Sequence, residues 1–369
     1  MAKKLSDLEK THKGFSTPNY SIKVGGSEIK QEDFPIVDLS VRMSAGFDMG
    51  SCEFTIAGVF NPQKGKFEKD IYTKFKPGKV VEVKMGYNKT TGLFMGYINA
   101  ISFDFSAKSG PYITVQCLDA KGALVNNKTW KNYGKQDIKD IVKAILTERC
   151  KPYVTTISSI DSDFDTGESG AYDETPEIKD NIDDYNYVIG FARKTNNSFC
   201  VIYNKLYFCE NLSSKSKTVV ELKWGQSLLS FWVEIDISKQ IGTVQVYGTD
   251  PIKHKTFTAK SNSVSGSGET GSDMAKLVKS KTIVLKDPNV INQAQATELA
   301  KHRLEASAAQ LVKCKGSTIG IPEIKAGDKI EISGMGKGVN GVYFLEHVTH
   351  TINAQGYITA FEGRSSGVK

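Results

Sequence analysis

The sequence predicts a mainly β protein of the α+β class, with two similar antiparallel β-barrels per chain. Three observations support this prediction. Apolar and polar residues alternate on short segments that end at Gly or Asn, which is typical of antiparallel strands with one packed face. Two stretches in the middle change to helical periodicity, which predicts a small inserted α+β domain. One strand pattern occurs twice, which predicts a duplicated barrel.

The repeat consists of a first copy at 75–118 and a second copy near the carboxyl end, at 324–360. The spacings between a glycine, a glutamate and a second glycine are the same in both copies, and both end on a Tyr-Ile-Thr strand. Two unrelated strand sets that share common turn residues are the alternative. The shared positions are Gly78, Glu82, Gly92 and Tyr112 in the first copy, and Gly327, Glu331, Gly341 and Tyr357 in the second.

The predicted organisation begins with a polar, lysine-rich stretch that should form a flexible arm. The first barrel and the inserted domain follow. A linker rich in Ser and Gly, and then a helix, interrupt the second barrel. The predicted boundaries are 1–18 for the arm, 19–125 for the first barrel, 126–215 for the inserted α+β domain, 216–253 and 314–366 for the second barrel, and 254–313 for the helical excursion.

Each element follows from its local pattern. Strands of the first barrel are predicted where apolar residues alternate between Gly-containing turns, and helices where apolar residues recur at three and four. The second barrel should open with strands at 228–238 and 243–247. Strands are predicted at 20–24, 35–43 and 52–59, a short helix at 71–75, longer helices at 135–150, 182–194 and 292–312, and a flexible excursion at 254–281.

The six cysteines form no CxxC pair and no zinc-binding spacing. Two of them lie on a predicted hairpin whose turn is Asn204-Lys205. Counting outward from that turn places Cys200 opposite Cys209, so a disulfide is geometrically conceivable. A reducing cytosol favours free thiols instead.

The net charge of +7 is unevenly distributed, because 161–184 holds ten acidic residues and one lysine. Such a segment fits either a charged partner or a solvated face, and the sequence assigns it no role. No apolar run is long enough to span a membrane, and the first residues lack the apolar core of a signal peptide. We therefore expect folding in the cytosol.

No motif predicts catalysis, a cofactor or a metal. Gly266-Ser-Gly-Glu-Thr-Gly271 has the letters of a dinucleotide fingerprint but lacks a preceding strand, so a linker is the better interpretation. The acidic triplet that begins at Asp161 departs from a calcium loop at its sixth and twelfth positions. His347 and His350 lie three apart on one strand and point to opposite faces. Lysines at 64–89 lack the exposed aromatics of a nucleic-acid site, which disfavours DNA binding.

The residues from about 182 onward resemble the late control gene D family of phage tails, the hub proteins of contractile baseplates, which are related to the hub part of VgrG in type VI secretion. The resemblance is most specific in the last third of the chain, and the amino-terminal third matches mainly through the order of elements. The residues that carry it are Asp184 to Ala192, Asn197 to Phe208, Val244-Gln-Val-Tyr-Gly248, Ala296 to Leu304, Gly320 to Gly327, Gly341 to His350 and Tyr357 to Glu362.

This resemblance implies a homotrimer whose two barrels per chain make a ring of six units. Such a ring adapts a sixfold tail tube to a threefold spike, which we expect to be a separate protein because no needle follows the hub. The implied partners are the chain itself, the tube protein, the spike, and other baseplate or tape-measure proteins. The implied location is a phage tail, a tailocin or another extracellular contractile particle that is assembled in the bacterial cytoplasm.

A trimer can satisfy six equivalent tube edges only if each subunit offers two similar surfaces. The loops at Lys76 and Gly78, and at Lys325 and Gly327, are equivalent in the repeat and are therefore the candidate interface residues for the tube or a neighbouring subunit. Two other classes remain open: a receptor- or glycan-binding tail module, and a tail-associated cell-wall hydrolase. The absence of a recognisable catalytic constellation favours the structural hub over an enzyme.

Overall fold

The computed structural model describes residues 2–106, 110–134, 136–158, 177–194, 197–210, 212–250, 253–264, 268–278, 281–287, 290 and 292–368. The fold is mostly β, and its main feature is one large sheet. No helix in these ranges is both long and apolar enough to cross a membrane. Most of the acidic stretch, the calcium-like triplet and part of the glycine motif at 266–271 lie outside the described residues.

The first third of the chain forms a meander of strands that begins with a short helix. Long strands here alternate buried and exposed residues, which places one face on the core. In chain order the elements are α1 Leu5–Thr11, β1 Asn19–Val24, β2 Ser27–Glu28, β3 Ile36–Ser44, β4 Ser51–Ala57, β5 Phe60–Asn61, β6 Lys66–Phe67, α2 Ile71–Lys74, β7 Val80–Gly86, β8 Thr90–Ser106 and β9 Gly110–Asp119.

The segment predicted as an inserted α+β domain contains both helices that the periodicity predicts. Asp137 caps the first of them by accepting a hydrogen bond from Lys139 N, and the apolar side of that helix is buried in a second apolar core. The elements are β10 Thr129–Gly134, α3 Ile138–Cys150, β11 Thr156–Ile157, β12 Glu177–Ile182, α4 Asp184–Lys194, β13 Asn197–Ile202, β14 Lys205–Glu210 and α5 Leu212–Lys215.

The remaining chain contains a second meander and the excursion within it. The elements are β15 Thr218–Lys223, β16 Leu228–Ile235, β17 Thr243–Asp250, β18 Lys255–Ser261, β19 Glu269–Thr270, α6 Gly271–Leu277, β20 Thr282–Lys286, α7 Gln293–Ala308, β21 Val312–Ile319, β22 Lys329–Ser333, β23 Gly341–Asn353, β24 Gly356–Ser365 and β25 Gly367–Val368.

Most strands of the two predicted barrels, though not β5, β6 and β17, belong to a single continuous sheet. Its main path runs β16-β21-β24-β23-β3-β4-β9-β8-β7-β1-β2, and it does not close into a barrel among the described strands. The pairing of β3 with β23 explains this difference from the prediction, because it joins the two halves edge to edge. One apolar core accordingly extends under both halves.

The excursion is more ordered than the flexible segment that the sequence predicts. β17, predicted as an opening strand of the second barrel, instead pairs with β18 and β20 in a separate three-stranded sheet. α7 lies within the predicted helix at 292–312 and packs on this small sheet. Its small-residue face consists of Ala296, Ala300, Leu304 and Ala308, all of which are buried.

The amino-terminal segment also differs from the predicted flexible arm. Lys3 N donates to Val219 O at 2.9 Å, Glu221 N donates to Lys3 O at 3.0 Å, and Leu8 on α1 is fully buried. The few apolar side chains in this polar segment are too weak a local signal to predict this docking. Its burial in the shared core nevertheless holds the segment in place.

The turn of the cysteine hairpin lies one residue earlier than predicted, which displaces the partner of each strand residue by two positions. Ile202 pairs with Lys205, so Tyr203 and Asn204 form the turn, and Tyr203 takes a positive φ of 55°. Cys200 therefore pairs with Tyr207 rather than with Cys209. Both cysteines are buried and no disulfide joins them; they lie on the same face of the hairpin as diagonal neighbours, not as a directly facing pair.

Candidate assembly interface

The chain contains one arrangement of six strands twice. Unit A runs β3-β4-β9-β8-β7-β1, and unit B runs β16-β21-β24-β23-β22-β15. The two orders correspond strand for strand. One difference is that β1 is antiparallel to β7, whereas β15 is parallel to β22.

Two β-bulges fall at corresponding places in the two units. A bulge adds a residue to one strand and is set by the pairing with the neighbouring strand, so matched bulges are stronger evidence of duplication than shared turn residues. The turns agree too, since Gly78 N donates to Ile98 O and Gly327 N donates to Leu345 O, each at 2.8 Å. The bulges lie between Ile36 and Asp38 in β3 and Leu228 and Ser230 in β16, and between Ile98 and Ala100 in β8 and Leu345 and His347 in β23.

These registers correct two details of the sequence repeat. Val83 pairs with Phe94 and Ile332 pairs with Gly341, so Gly341 corresponds to Phe94 and not to Gly92. Tyr112 pairs with Ala57, and Ile358 pairs with Ile319, at corresponding positions of β4 and β21. Tyr112 therefore corresponds to Ile358 and not to Tyr357. The Tyr-Ile-Thr letters match, but the second copy is displaced by one residue, which reverses the faces of its side chains.

The two units meet along the pairing of β3 in unit A with β23 in unit B. The register runs antiparallel from Leu39 opposite Ile352 to Ser44 opposite His347. Beyond the strand end, Ala45 N donates to Glu346 O at 2.8 Å. This junction uses one edge of β3 and the distal half of β23, which is the carboxyl-terminal part from His347 to Ile352. The proximal half, from Gly341 to Phe344, pairs with β22 instead.

Further contacts cross between the units. The rings of Tyr87 and Tyr357 lie 5.5 Å apart, and Lys325 Nζ in unit B donates to Gly92 O in unit A at 2.8 Å. The docked amino-terminal segment adds to these contacts. The ring centroids of His12 and Tyr87 lie 5.4 Å apart, and His12 Nε2 lies 3.1 Å from Glu323 Oε2.

His350 on β23 is buried at this junction. Its Nε2 donates to Ile324 O at 2.9 Å, and its Nδ1 accepts from Tyr357 Oη at 2.9 Å or from Thr359 Oγ1 at 3.1 Å. Burial, which disfavours the charged imidazolium, lowers the pKa of His350 to about 4. The neutral imidazole thus links β23 by hydrogen bonds to β24 and to the turn before Lys325.

The structure places the two predicted interface loops in unequal surroundings. Lys76 and Gly78 are exposed. Lys325 is half-buried, and its ammonium lies over the ring of Tyr203 as well as against Gly92 O. A Cβ on Gly327, which has a φ of 86°, would lie 2.8 Å from a side-chain atom of the inserted domain. The loops are therefore equivalent in backbone position but not in exposure.

Asp328 follows this second loop and is also half-buried. Burial raises its pKa to about 6, although a backbone hydrogen bond from Lys325 N and the nearby ammonium oppose the shift. Burial likewise lowers the pKa of Lys325. Both groups thus have a reduced preference for the charged form.

The distal half of β8, which is the carboxyl-terminal part after Ile98, is a sheet edge. Its proximal half pairs with β7 as far as Tyr97, and Ile98 bonds to the loop before β7. Beyond that point β8 pairs only with β9 on one side among the described strands. Phe103 and Phe105 are 39% and 58% exposed there, although both rings contact the small hairpin formed by β5 and β6.

β16 forms a second edge, at one end of the main path of the sheet. From Leu229 onward it pairs only with β21 among the described strands. Leu229, Trp232 and Ile235 are 53%, 49% and 44% exposed along it. Long edge strands with exposed apolar residues are templates for pairing with another chain.

Sequence reasoning did not single out these two edges. A usable signal was the run Leu228-Leu229-Ser230-Phe231-Trp232-Val233, which is apolar on both faces of one strand. A half-solvated strand alternates, whereas a strand that is covered on both sides does not. The phenylalanines at the end of β8 gave a weaker signal of the same kind.

A shallow depression of about 520 Å3 crosses the sheet beside β16. Two of its charged lining residues form an ion pair, with Lys315 Nζ 3.0 Å from Glu362 Oε1. Ser230 and Ser317 in its wall hydrogen-bond to each other, with an Oγ–Oγ distance of 2.6 Å. In the part of the chain that the structure describes, no cluster of three or more His, Cys, Asp or Glu residues could hold a metal.

Comparison with solved structures identifies the fold. The 43 kDa tail protein of prophage MuSo2 from Shewanella oneidensis superposes with a TM-score of 0.66 at 13% identity, over 96% of this chain and 100% of that one. The tail protein of Neisseria meningitidis MC58 gives 0.64 at 14% identity, over 95% and 98%. A chain of the Francisella PdpA-VgrG complex gives 0.56 at 9% identity, over 98% of this chain and 61% of that one. The chain therefore has the fold of phage tail proteins.

Comparison with protein families gives a second result. The model of the Alg8 N-terminal domain matches residues 15–354, which is most of the chain. The chain belongs to the Alg8 N-terminal domain family. No curated protein sequence matches it.

Proposed function

We propose that this chain is the structural hub of the baseplate of a contractile tail or related injection system. Three copies form a ring of six similar units, since each chain supplies units A and B. The ring joins the sixfold tail tube on one side to a threefold spike protein on the other. It acts through interfaces and performs no catalysis.

The observation that carries the proposal is the duplicated six-stranded unit with bulges at matching places. A threefold assembly meets six equivalent tube subunits only if each chain offers two similar surfaces. Two copies of one unit in one chain meet this requirement. The phage tail fold and the resemblance to late control gene D proteins support the same role.

The first test is the absolute mass of the purified chain by light scattering after size exclusion. Three copies of a 40.5 kDa chain give about 122 kDa, and that mass is the expected result. The tube protein should then co-sediment with the trimer. A monomer that remains monomeric with tube and spike proteins present, and that binds cells unaided, would instead favour a receptor- or glycan-binding module.

The exposed loop at Lys76 and Gly78, together with the equivalent loop at Lys325 and Gly327, is the proposed contact with the tube. Reversing the charge in Lys76→Glu and Lys325→Glu together should reduce co-sedimentation more than either change alone. Because Lys325 also bonds within the chain, each variant must first give the trimer mass. Unchanged tube binding by the trimeric double variant would exclude these loops.

A further inference from the structure

The junction inside the chain provides a template for a contact between copies. β3 of unit A pairs with the distal half of β23 of unit B. The corresponding strands are β16 of unit B and the distal half of β8 of unit A. Among the described strands, each of these two segments pairs with a neighbour on one side only. Each unit can thus make the same contact, but within one chain only one such contact exists.

We propose that β16 of one copy pairs antiparallel with the distal half of β8 of the next copy, head to tail around a closed ring. The occupant of each free edge is therefore a second copy of this chain. The inference deepens the proposed function, on which it rests for the number of copies in the ring. The strand pairing itself is argued from the internal duplication.

The template also gives the register. Leu39, Ser40 and Val41 of β3 face Ile352, Thr351 and His350 of β23. When the two units are aligned on their matched bulges, the three β3 residues correspond in that order to Phe231, Trp232 and Val233 of β16. The three β23 residues correspond in that order to Phe105, Asp104 and Phe103 of β8. Phe231 should therefore face Phe105, Trp232 should face Asp104, and Val233 should face Phe103 of the next copy.

Side-chain exposure fits this pairing. His350 is completely buried at the internal junction, whereas Phe103 at the corresponding position is 39% exposed. Trp232 and Phe105 are also exposed on the two edges. Pairing of the edges would cover aromatic side chains of the kind that dominate interface energetics, and it would satisfy the backbone groups of both strands.

A heterologous contact of this kind repeats until it closes, because every copy presents one donor edge and one acceptor edge. Three copies would alternate internal junctions of β3 with β23 and external junctions of β16 with β8. The result is six pseudo-equivalent junctions around the ring. A different occupant, such as the tube protein, would have to reproduce this register by chance.

Disulfide trapping tests the register directly. Neighbouring pairs in an antiparallel ladder alternate between hydrogen-bonded and non-hydrogen-bonded geometry, so two adjacent pairs cover both cases. The aligned double variants are Val233→Cys with Phe103→Cys, and Trp232→Cys with Asp104→Cys. The mismatched control is Trp232→Cys with Phe103→Cys, which is slipped by one residue and lies on opposite faces. All six native cysteines are buried, so the unmodified chain serves as the background control.

Mild oxidation of the trimer should convert at least one aligned variant to two- and three-chain species on a non-reducing gel. The mismatched variant and the four single variants should remain single chains. An independent test changes charge: Trp232→Asp, opposite Asp104, should weaken association at least about tenfold, and Asp104→Lys in the same chain should restore it. Rescue of this kind is not expected if Trp232→Asp merely unfolds β16.

The outcomes separate this inference from the proposed function. A trimer in which no aligned pair crosslinks overturns the edge pairing and leaves the hub proposal standing. A monomer with no crosslinks at any concentration, even with the spike protein present, overturns both. Aligned crosslinks that build open polymers support the edge pairing and contradict the threefold ring.

Discussion

His350 should make the stability of this protein depend on pH in mildly acidic solution. The folded state holds the imidazole neutral with a pKa of about 4, since burial disfavours the charge and the nearby Lys325 adds to the effect while Glu323 opposes it. In the unfolded chain a histidine titrates near pH 6.5. Between these two values the unfolded state binds more protons, so stability falls as the pH is lowered from 6.5 toward 4.

The magnitude follows from the two pKa values. Lowering the pH from 7.5 to 5.0 should cost the folded state about 2 kcal/mol through His350, and the full shift corresponds to about 3 kcal/mol below pH 4. His350→Gln removes the titrating group. It also removes hydrogen bonds to Ile324 O and Tyr357, which lowers stability at both pH values. The informative quantity is therefore the change with pH, compared between the two proteins.

The assay is urea unfolding at one protein concentration, at pH 7.5 and pH 5.0, because association would otherwise alter the apparent stability. The native chain should lose about 2 kcal/mol more than His350→Gln on acidification. His254→Gln, at an exposed position, is the matched control and should behave as the native chain does. If the native chain and His350→Gln lose equal stability, burial does not hold this histidine neutral.

Three further predictions concern other positions. Asp328 has its pKa raised to about 6, so the native chain should gain about 1 kcal/mol of stability through this group as the pH falls from 7.5 to 5.0. This change is opposite in sign to the loss of stability through His350. Asp328→Asn should remove the gain, and equal pH profiles in urea unfolding would contradict this. Leu8→Ala should cost about 2–5 kcal/mol and expose the amino-terminal segment to limited proteolysis, and an unchanged cleavage rate would show that the segment is not docked by this side chain. Gly96→Ala should impair folding, because its Cβ would lie 2.0 Å from Leu118 O. Gly190→Ala on α4 meets no atom within 4 Å and should be neutral or stabilising by about 0.5–1 kcal/mol. Melting temperatures test the two variants, and equal effects would refute the argument.

Much of the local structure was determined by the sequence alone. The helical periods at α3, α4 and α7 and the alternation of β7 and β22 depend on nearest neighbours along the chain, which a sequence displays directly. The repeat was detected for the same reason, because Gly78 and Gly327 make the same turn and the same hydrogen bond. The phage tail fold was also foreseen, through the resemblance of the last third of the chain to a known family.

Only the tertiary structure decided how these elements pair. The sequence pattern aligns Tyr112 with Tyr357 and places Cys200 opposite Cys209, but pairing with neighbouring strands displaces the first match by one residue and the second by two. A single-residue slip leaves the local pattern almost unchanged while exchanging the faces of a strand. The joining of two predicted barrels into one sheet through β3 and β23 is likewise a contact between residues about three hundred positions apart. Sequence periodicity carries no record of such a partner, and the correspondence of the edges of β8 and β16 with this junction became visible only once that partner was known.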